Sequence, residues 1–396
     1  MKIRVLVGLV SVMLGAPSLA YGQASEIAEL RAAVAALTSR LAALEANQAQ
    51  VAEAPPAPTL PVAPVIDGVK LNADLRYRHE SIDEAGLPRR DRQRIRARIG
   101  LSGDVTDNVD IGFQLATGGS SPISGNQSLD TGFSRKSIGL NLAYFNWQLS
   151  DQLKLTGGKM KNPFNRVGGN GLLWDGDLNP EGLALGIGTG PITASVAGLW
   201  VEERSGGSDS MLLGGQVAYS AALNSDTKLK VGAGYFDYLK TQGQTPFFDG
   251  SAAGNILAAN GTYPTDFNEL ELFAELSTQV ADRPLAVFFD YVKNTEANAF
   301  DTGWAIGGKY GKASGPGSWE VGYTYQDIEA NAVVGIFTDS DFGGGGTDGS
   351  GHVLKGAYAL NKKMKLNLTY FLNERGANAG NKRDYDRLQA DISFKY

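Results

Sequence analysis

Few residue types in this chain could carry covalent chemistry. Cysteine is absent and only two histidines, His79 and His352, occur, far apart in the sequence. That excludes a thiol nucleophile, a thiolate metal site and a disulfide framework. Charged side chains at regular spacing remain. Arg92, Arg94, Arg96 and Arg98 recur at every second position, with Arg76 and Arg78 at the same spacing upstream, and Glu269, Glu271 and Glu275 share one parity further on. A third group, Asp175, Asp177 and Glu181, lies in the stretch DGDLNPE. Those carboxylates are hard oxygen donors of the kind calcium uses, but their spacing does not match the EF-hand loop, so no metal and no cofactor is assigned. With 36 basic and 42 acidic side chains, there is no basic excess to bind nucleic-acid backbone.

Side chains two apart share a face only on a strand, so the arginines must be positioned by β-structure. Val69, Leu71, Ala73, Leu75 and Tyr77 alternate with Lys70, Asn72, Asp74, Arg76 and Arg78, and Ile95, Ala97, Ile99 and Leu101 alternate with the arginines. Leu270, Leu272, Ala274 and Leu276 do the same against the glutamates. The period persists for about ten residues at a time, the length of a tilted strand crossing a bilayer. Sixteen such segments are expected, beginning near residues 69, 91, 109, 137, 153, 181, 192, 211, 228, 268, 285, 302, 318, 351, 365 and 385. Brief turns alternate with long loops between them, as in an outer-membrane barrel. The expected fold is therefore all-β: a 16-stranded antiparallel transmembrane β-barrel over 67–396.

An arginine facing lipid near the bilayer midplane costs roughly 2 to 4 kcal/mol, so a row of four must face inward. Four guanidinium groups cannot fill a dry core unless each is paired, and sixteen strands leave room for water. The expected lumen has a basic wall of Arg76, Arg78, Arg92, Arg94, Arg96 and Arg98. An acidic wall of Glu269, Glu271 and Glu275 would stand opposite, since the second and tenth strands of a ring of sixteen face each other. Trp304, Tyr310, Trp319 and Tyr396 suit the outer aromatic girdles, while Phe145 and Trp147 fall on inward parity and mark either pore-lining positions or a slip in register.

Ahead of the barrel, Lys2 and Arg4 precede an apolar run from Val5 to Leu14 and small residues around Ser18 to Gly22, the layout of a secretory signal over 1–22. Ile27, Leu30, Val34, Leu37, Leu41 and Leu44 alternate steps of three and four, predicting a short coiled-coil helix over 25–52. Five prolines between Ala54 and Pro64 predict an extended spacer over 53–66.

The segment from Lys161 to Pro180 combines glycine, aromatic and acidic residues and is the expected constriction loop, with Lys159, Lys161, Asn162, Asp175, Asp177 and Glu181 as its candidate side chains. GKMKNPF at 158–164 and LLWDGDLNPEGLAL at 172–185 resemble the putative-porin family of Gram-negative bacteria, through Lys159, Asn162, Pro163, Phe164, Trp174, Asp175, Asp177 and Glu181. The resemblance covers the chain beyond the signal and implies a homotrimeric outer-membrane porin. The expectation is a passive channel for small hydrophilic solutes and ions, surrounded by outer-membrane lipids, with no chemical step and no nucleic-acid partner. A channel selective for anionic or sugar solutes is the alternative within transport. A structural tether, with the coiled coil touching periplasmic cell-wall material, is the alternative outside it.

Overall fold

The computed structural model describes residue 32, residues 34–40 and 42–43, and residues 68–396. The predicted signal segment and proline spacer lie outside the described residues, as does most of the predicted rod. Residues 34–40 and 42–43 are helical, with Val34 and Leu37 exposed.

From Lys70 onward the chain is a closed antiparallel barrel. Its strands are β1 (Lys70–Glu84), β2 (Arg90–Thr106), β3 (Val109–Thr117), a two-residue β4 (Gln127–Ser128), β5 (Ile138–Ser150), β6 (Leu153–Lys159), β7 (Glu181–Thr189), β8 (Ile192–Glu202) and β9 (Ser210–Ala222). They continue as β10 (Lys228–Leu239), β11 (Phe267–Val280), β12 (Arg283–Asn294), β13 (Thr302–Gly311), β14 (Trp319–Ile328), β15 (Gly349–Asn361), β16 (Met364–Arg375) and β17 (Arg383–Lys395). Sixteen of these form the wall. β4 is a bridge from a loop onto β2, pairing Arg94 with Ser128. The ring closes where β1 meets β17, with Leu75 opposite Phe394 and Tyr77 opposite Ile392. Closure leaves no sheet edge, which a bilayer requires because lipid offers backbone groups no hydrogen bonds.

Turns and loops alternate as the sequence predicts: short connections at 107–108, 151–152, 190–191 and 281–282, long ones at 118–137, 160–180, 240–266 and 329–348. At 281–282 both Ala281 and Asp282 have positive φ (48° and 59°), the backbone of a two-residue hairpin matched to strand twist.

The outer face is apolar. Leu71, Leu75, Ile99 and Leu101 are exposed on β1 and β2, as are Leu366 and Leu368 on β16. Two aromatic bands flank it. Trp304 packs against Tyr325 on the loop side and Tyr310 against Trp319 on the turn side, at 5.2 Å and 5.8 Å between centroids. Phe145 and Trp147 also face outward. A register shift at Gln114/Leu115 makes Asn141 an extra residue of β5, so Ile138 and Leu140 point out at even numbers and Phe145 and Trp147 at odd ones. A bulge changes parity partway along a strand, which resolves the slip anticipated there.

The buried core sits inside the barrel. Loops 160–180, 240–266 and 329–348 contribute Leu172, Trp174, Phe247, Tyr263 and Val334, which join inward side chains such as Phe236 and Tyr238 in one apolar cluster.

Candidate functional site: the arginine wall and the inserted loops

Arg92, Arg94, Arg96 and Arg98 all lie on the lumenal face of β2, and register sets them beside β1: Glu80 opposite Arg92, Arg78 opposite Arg94, Arg76 opposite Arg96 and Asp74 opposite Arg98. Like charges directly opposite one another are destabilising, so two Arg–Arg pairs need carboxylates from elsewhere. They come from β17 and from two loops. Arg78 donates through Nε and Nη2 to both oxygens of Asp391, at 2.7 Å and 2.8 Å, and through Nη1 to Asp341 at 3.1 Å. Arg387 of β17 also pairs with Asp341, at 2.6 Å. Glu80, with its side chain fully buried, accepts from Arg92 and Arg387 together and from Gln389 at 3.1 Å.

The ion pairs divide into two networks. In one, Arg96 and Arg98 are balanced by Asp74 and Asp177: Arg96 donates to Asp177 at 2.9 Å, and Arg98 donates to Asp74 at 2.8 Å. In the other, nearer the loop ends, Arg76, Arg78, Arg92, Arg94 and Arg387 share only Glu80, Asp341 and Asp391. Five cations against three anions leave an excess of two. Arg94 is the least satisfied, 4.0 Å from Glu80 and bonded otherwise to the Asn126 carbonyl at 3.3 Å. The Nε atoms of Arg76, Arg94 and Arg96 are buried with no hydrogen-bond partner among the described residues.

The loop 160–180 folds inward against β9–β12. The Gly168 amide donates to Glu275 at 2.9 Å, the Asn170 side-chain amide to Asp290 at 2.7 Å, and the Asn165 amide to Gln216 at 2.7 Å. Gly168 has φ 60° and packs so closely on Phe288 that a Cβ there would overlap the ring. Trp174 stacks on Phe164 at 5.3 Å and meets Phe236 edge-on at 4.5 Å. The loop's constriction candidates have separate placements. Asp177 reaches the arginine wall. Glu181 instead accepts from Lys159 at 2.8 Å, Lys161 is exposed with no ion pair among the described residues, and the Asn162 side-chain oxygen accepts from the Phe164 amide at 3.0 Å.

Asp175 does not face the arginines. It is buried where 160–180 meets 329–348, accepting from the Ser340 amide at 2.9 Å and the Asp177 amide at 2.7 Å. Burial, reinforced by Asp339, pushes its carboxyl up to about 7, and burial likewise raises Asp339. Burial would also raise Asp341, but Arg387 and Arg78 outweigh it and hold that carboxyl well below the usual range.

The acidic wall needs correction. Glu269 and Glu271 point inward on β11, yet each is only 1 % exposed. Glu269 accepts from the Val334 amide at 3.0 Å and Glu271 from Gln216 at 2.7 Å. These two anchor an inserted loop and a neighbouring side chain under cover, instead of facing open water, while Glu275 is half-buried and holds the Gly168 amide. The loop 329–348 is a long connection as expected, but its packing into the barrel was not anticipated from sequence. Its signals are the apolar run AVVGIF and the glycine run that follows, which let a chain pack tightly inside a wall. Glu80, Asp391 and Arg387, also missed, share parity with the arginines on neighbouring strands.

Two cavities adjoin the basic wall. One of about 510 Å³ is lined by Arg96, Arg98, Lys159, Asp177, Glu181 and Phe248, among others. A second, of about 410 Å³ toward the loop ends, is lined by Arg90, Arg92, Arg94, Arg375 and Arg387 with Glu84 and Asp341. Both reach Ser124 of loop 118–137. His79 and His352 lie elsewhere, on the outer parity of β1 and β15, bonded to Gln93 at 2.7 Å and to the Tyr323 hydroxyl at 2.9 Å.

Solved structures with this architecture include the high-pH structure of Pseudomonas putida OprB, 12% identical, with a TM-score of 0.60 over 83% of this chain and 94% of that one. A mutant porin of Rh. blastica, also 12% identical, aligns with a TM-score of 0.52 over 83% of this chain and all of its own. Another Rhodopseudomonas blastica porin mutant, again at 12%, gives 0.51 over the same shares. These likenesses establish the fold. No curated protein matches the chain. The sequence model described as "Putative porin" matches residues 68–268 and 256–396, essentially the whole barrel. A sixteen-stranded closed barrel that carries this match along its length, with a charged and cavity-bearing interior, belongs to the putative-porin family and is a channel for passive diffusion.

Proposed function

We propose that this porin sits in the outer membrane as a channel for small hydrophilic solutes and prefers anions. The observation that carries the preference is the excess of two arginines over carboxylates in the loop-side ion-pair network. The inward acids of β11, Glu269 and Glu271, are covered by loop 329–348 and by Gln216 and do not balance it. A passage with unbalanced positive charge in low-dielectric walls concentrates anions and repels cations. Zero-current potential across a planar bilayer in a KCl gradient tests this. A potential of the sign for chloride permeation supports the reading, and one of the sign for potassium overturns it.

The same proposal assigns 1–22 to an export signal, 25–52 to a periplasmic helical rod and 53–66 to a spacer. Val34 and Leu37, positions a and d of the heptad seam, are exposed in the single chain, and association with further copies would cover them. A trimer fits the family resemblance. Deleting residues 25–64 should then leave conductance per barrel unchanged while weakening association on a native gel. A barrel that loses its channel activity would place the rod in the pore's own structure.

A further inference from the structure

The loop-side cavity holds more positive charge than its carboxylates can answer. Both acids that line it are already engaged: Glu84 pairs with Arg383 at 3.2 Å, and Asp341 lies between Arg78 and Arg387. Arg90 and Arg375 line the same space, and neither has an ion pair among the described residues. Arg94 lines it too, with its nearest carboxylate at 4.0 Å and its Nε buried without a partner. Arg94 and Arg375 are half-buried while Arg90 is exposed; a partly desolvated guanidinium with unused donors is costly, and native structures usually satisfy it with protein, water or an ion. Ser124, Ser340 and Tyr385 add hydroxyl groups to the same lining.

We infer that this vestibule is a binding subsite for a small, doubly charged oxyanion, of the phosphate, sulfate or dicarboxylate class. Guanidinium forks match the oxygens of such groups in a bidentate way that a halide cannot reproduce. A dianion also meets the unpaired Arg90 and Arg375 with one charge each, where a monoanion answers only one of them. The inference deepens the anion preference proposed above and rests on it. Its consequence is saturation: a solute that dwells among Arg90, Arg94 and Arg375 occupies the path that chloride uses, while the cavity's open position lets it leave.

The test is chloride current through the full-length protein in planar bilayers, with potassium sulfate added to both sides as the probe and potassium acetate as the monoanion control. Sulfate should lower the current along a saturating curve, with acetate weaker by roughly tenfold. Arg90→Gln and Arg375→Gln should each raise the half-blocking sulfate concentration about tenfold, the effect of losing one charge-assisted partner. Lys312→Gln removes one charge near the short turns and should leave that concentration within about twofold. Chloride preference in the KCl gradient with no saturable sulfate effect on the wild-type protein would overturn the subsite and leave the anion reading standing. Equal block by acetate, or an equal shift from Lys312→Gln, would also overturn it. A potassium preference before any sulfate is added would instead remove the anion reading beneath it. The wild-type titration decides the matter even if a variant fails to assemble.

Discussion

Replacing Arg94, Arg96 and Arg98 together with glutamine should reverse the selectivity of the channel. The two ion-pair networks hold seven arginines, Arg76, Arg78, Arg92, Arg94, Arg96, Arg98 and Arg387, against five carboxylates, Asp74, Glu80, Asp177, Asp341 and Asp391. Removing three cations turns an excess of two positive charges into an excess of one negative. The change is uneven: the loop-side network keeps an excess of one, whereas Asp74 and Asp177 lose both partners. A potassium ion about 4 Å from one such carboxylate gains about 4 kcal/mol at an effective dielectric constant of about 20.

In a tenfold KCl gradient, perfect discrimination between the two ions would give about 59 mV. The wild-type potential should lie on the chloride side of zero and the triple variant on the potassium side. Arg96→Lys with Arg98→Lys keeps the charge and loses the guanidinium forks, so it should stay on the chloride side. The side chains of Asp74 and Asp177 are 20% and 26% exposed, so water screens part of the roughly 3 to 5 kcal/mol that breaking a buried pair can cost. Heat-modifiable gel mobility will show whether the barrel still closes. An unchanged potential from a closed triple variant would refute the claim that these arginines set the field along the solute path.

Three further outcomes are expected. Gly168→Ala should unseat loop 160–180, because its Cβ would overlap Phe288 and its φ of 60° is unfavourable for alanine; if the loop narrows the path, single-channel conductance should rise, and an unchanged value would mean it does not. The clasp at Asp175 should weaken with rising pH: its pKa is about 7 in the folded chain against 3.8 as the ordinary value. A raised carboxylate pKa contributes fully below the ordinary value, and that contribution is lost as pH climbs toward 7. Current noise should therefore grow between about pH 4 and pH 7, the window the two values set, and level off above it, and Asp175→Asn should abolish the dependence; noise that grows equally in the variant would place the effect elsewhere. Cysteines at 94, 96 and 98 should react with a membrane-impermeant thiol reagent while those at 95, 97 and 99 do not, and equal reaction at both sets would undo the lumen assignment.

How much of this was readable in advance follows from which solvents each residue meets. Strand starts expected near 69, 91, 109, 137 and 153 fall at 70, 90, 109, 138 and 153, because lipid on one face and polar surroundings on the other force a period of two. Where a backbone irregularity breaks that period, the reading fails locally. Asn141 is such a residue, and it misplaced Phe145 and Trp147. The inward loops were harder. Trp174 and Phe164 gave 160–180 an apolar payload visible in sequence, but the companion insertion of 329–348 depends on close glycine packing against Ala253 and Arg375, a long-range fit that no local pattern announces. The partners of the arginines were half legible: Asp74 and Glu80 share their parity on β1, whereas Asp341 arrives from a distant loop.

The fate of the acidic residues explains why the preference should be for anions, when a lumen with opposed charged walls would favour dipolar solutes. A loop inserted into a barrel brings backbone amides away from water, and each needs an acceptor. Glu269 supplies one to Val334 and Glu275 one to Gly168, while Asp290 holds the side chain of Asn170. Carboxylates are suited to this because they only accept. Arginines only donate, so they bind loop carbonyls and carboxylates, and there are too few such groups on the opposite side to engage them all. Loop insertion thus consumes negative charge on β11 and β12 and leaves positive charge on β1, β2 and β17 facing the cavities. Selectivity follows from that difference: freeing Glu269 and Glu275 by removing the loops would restore an opposing wall and bring the two ions' permeabilities together.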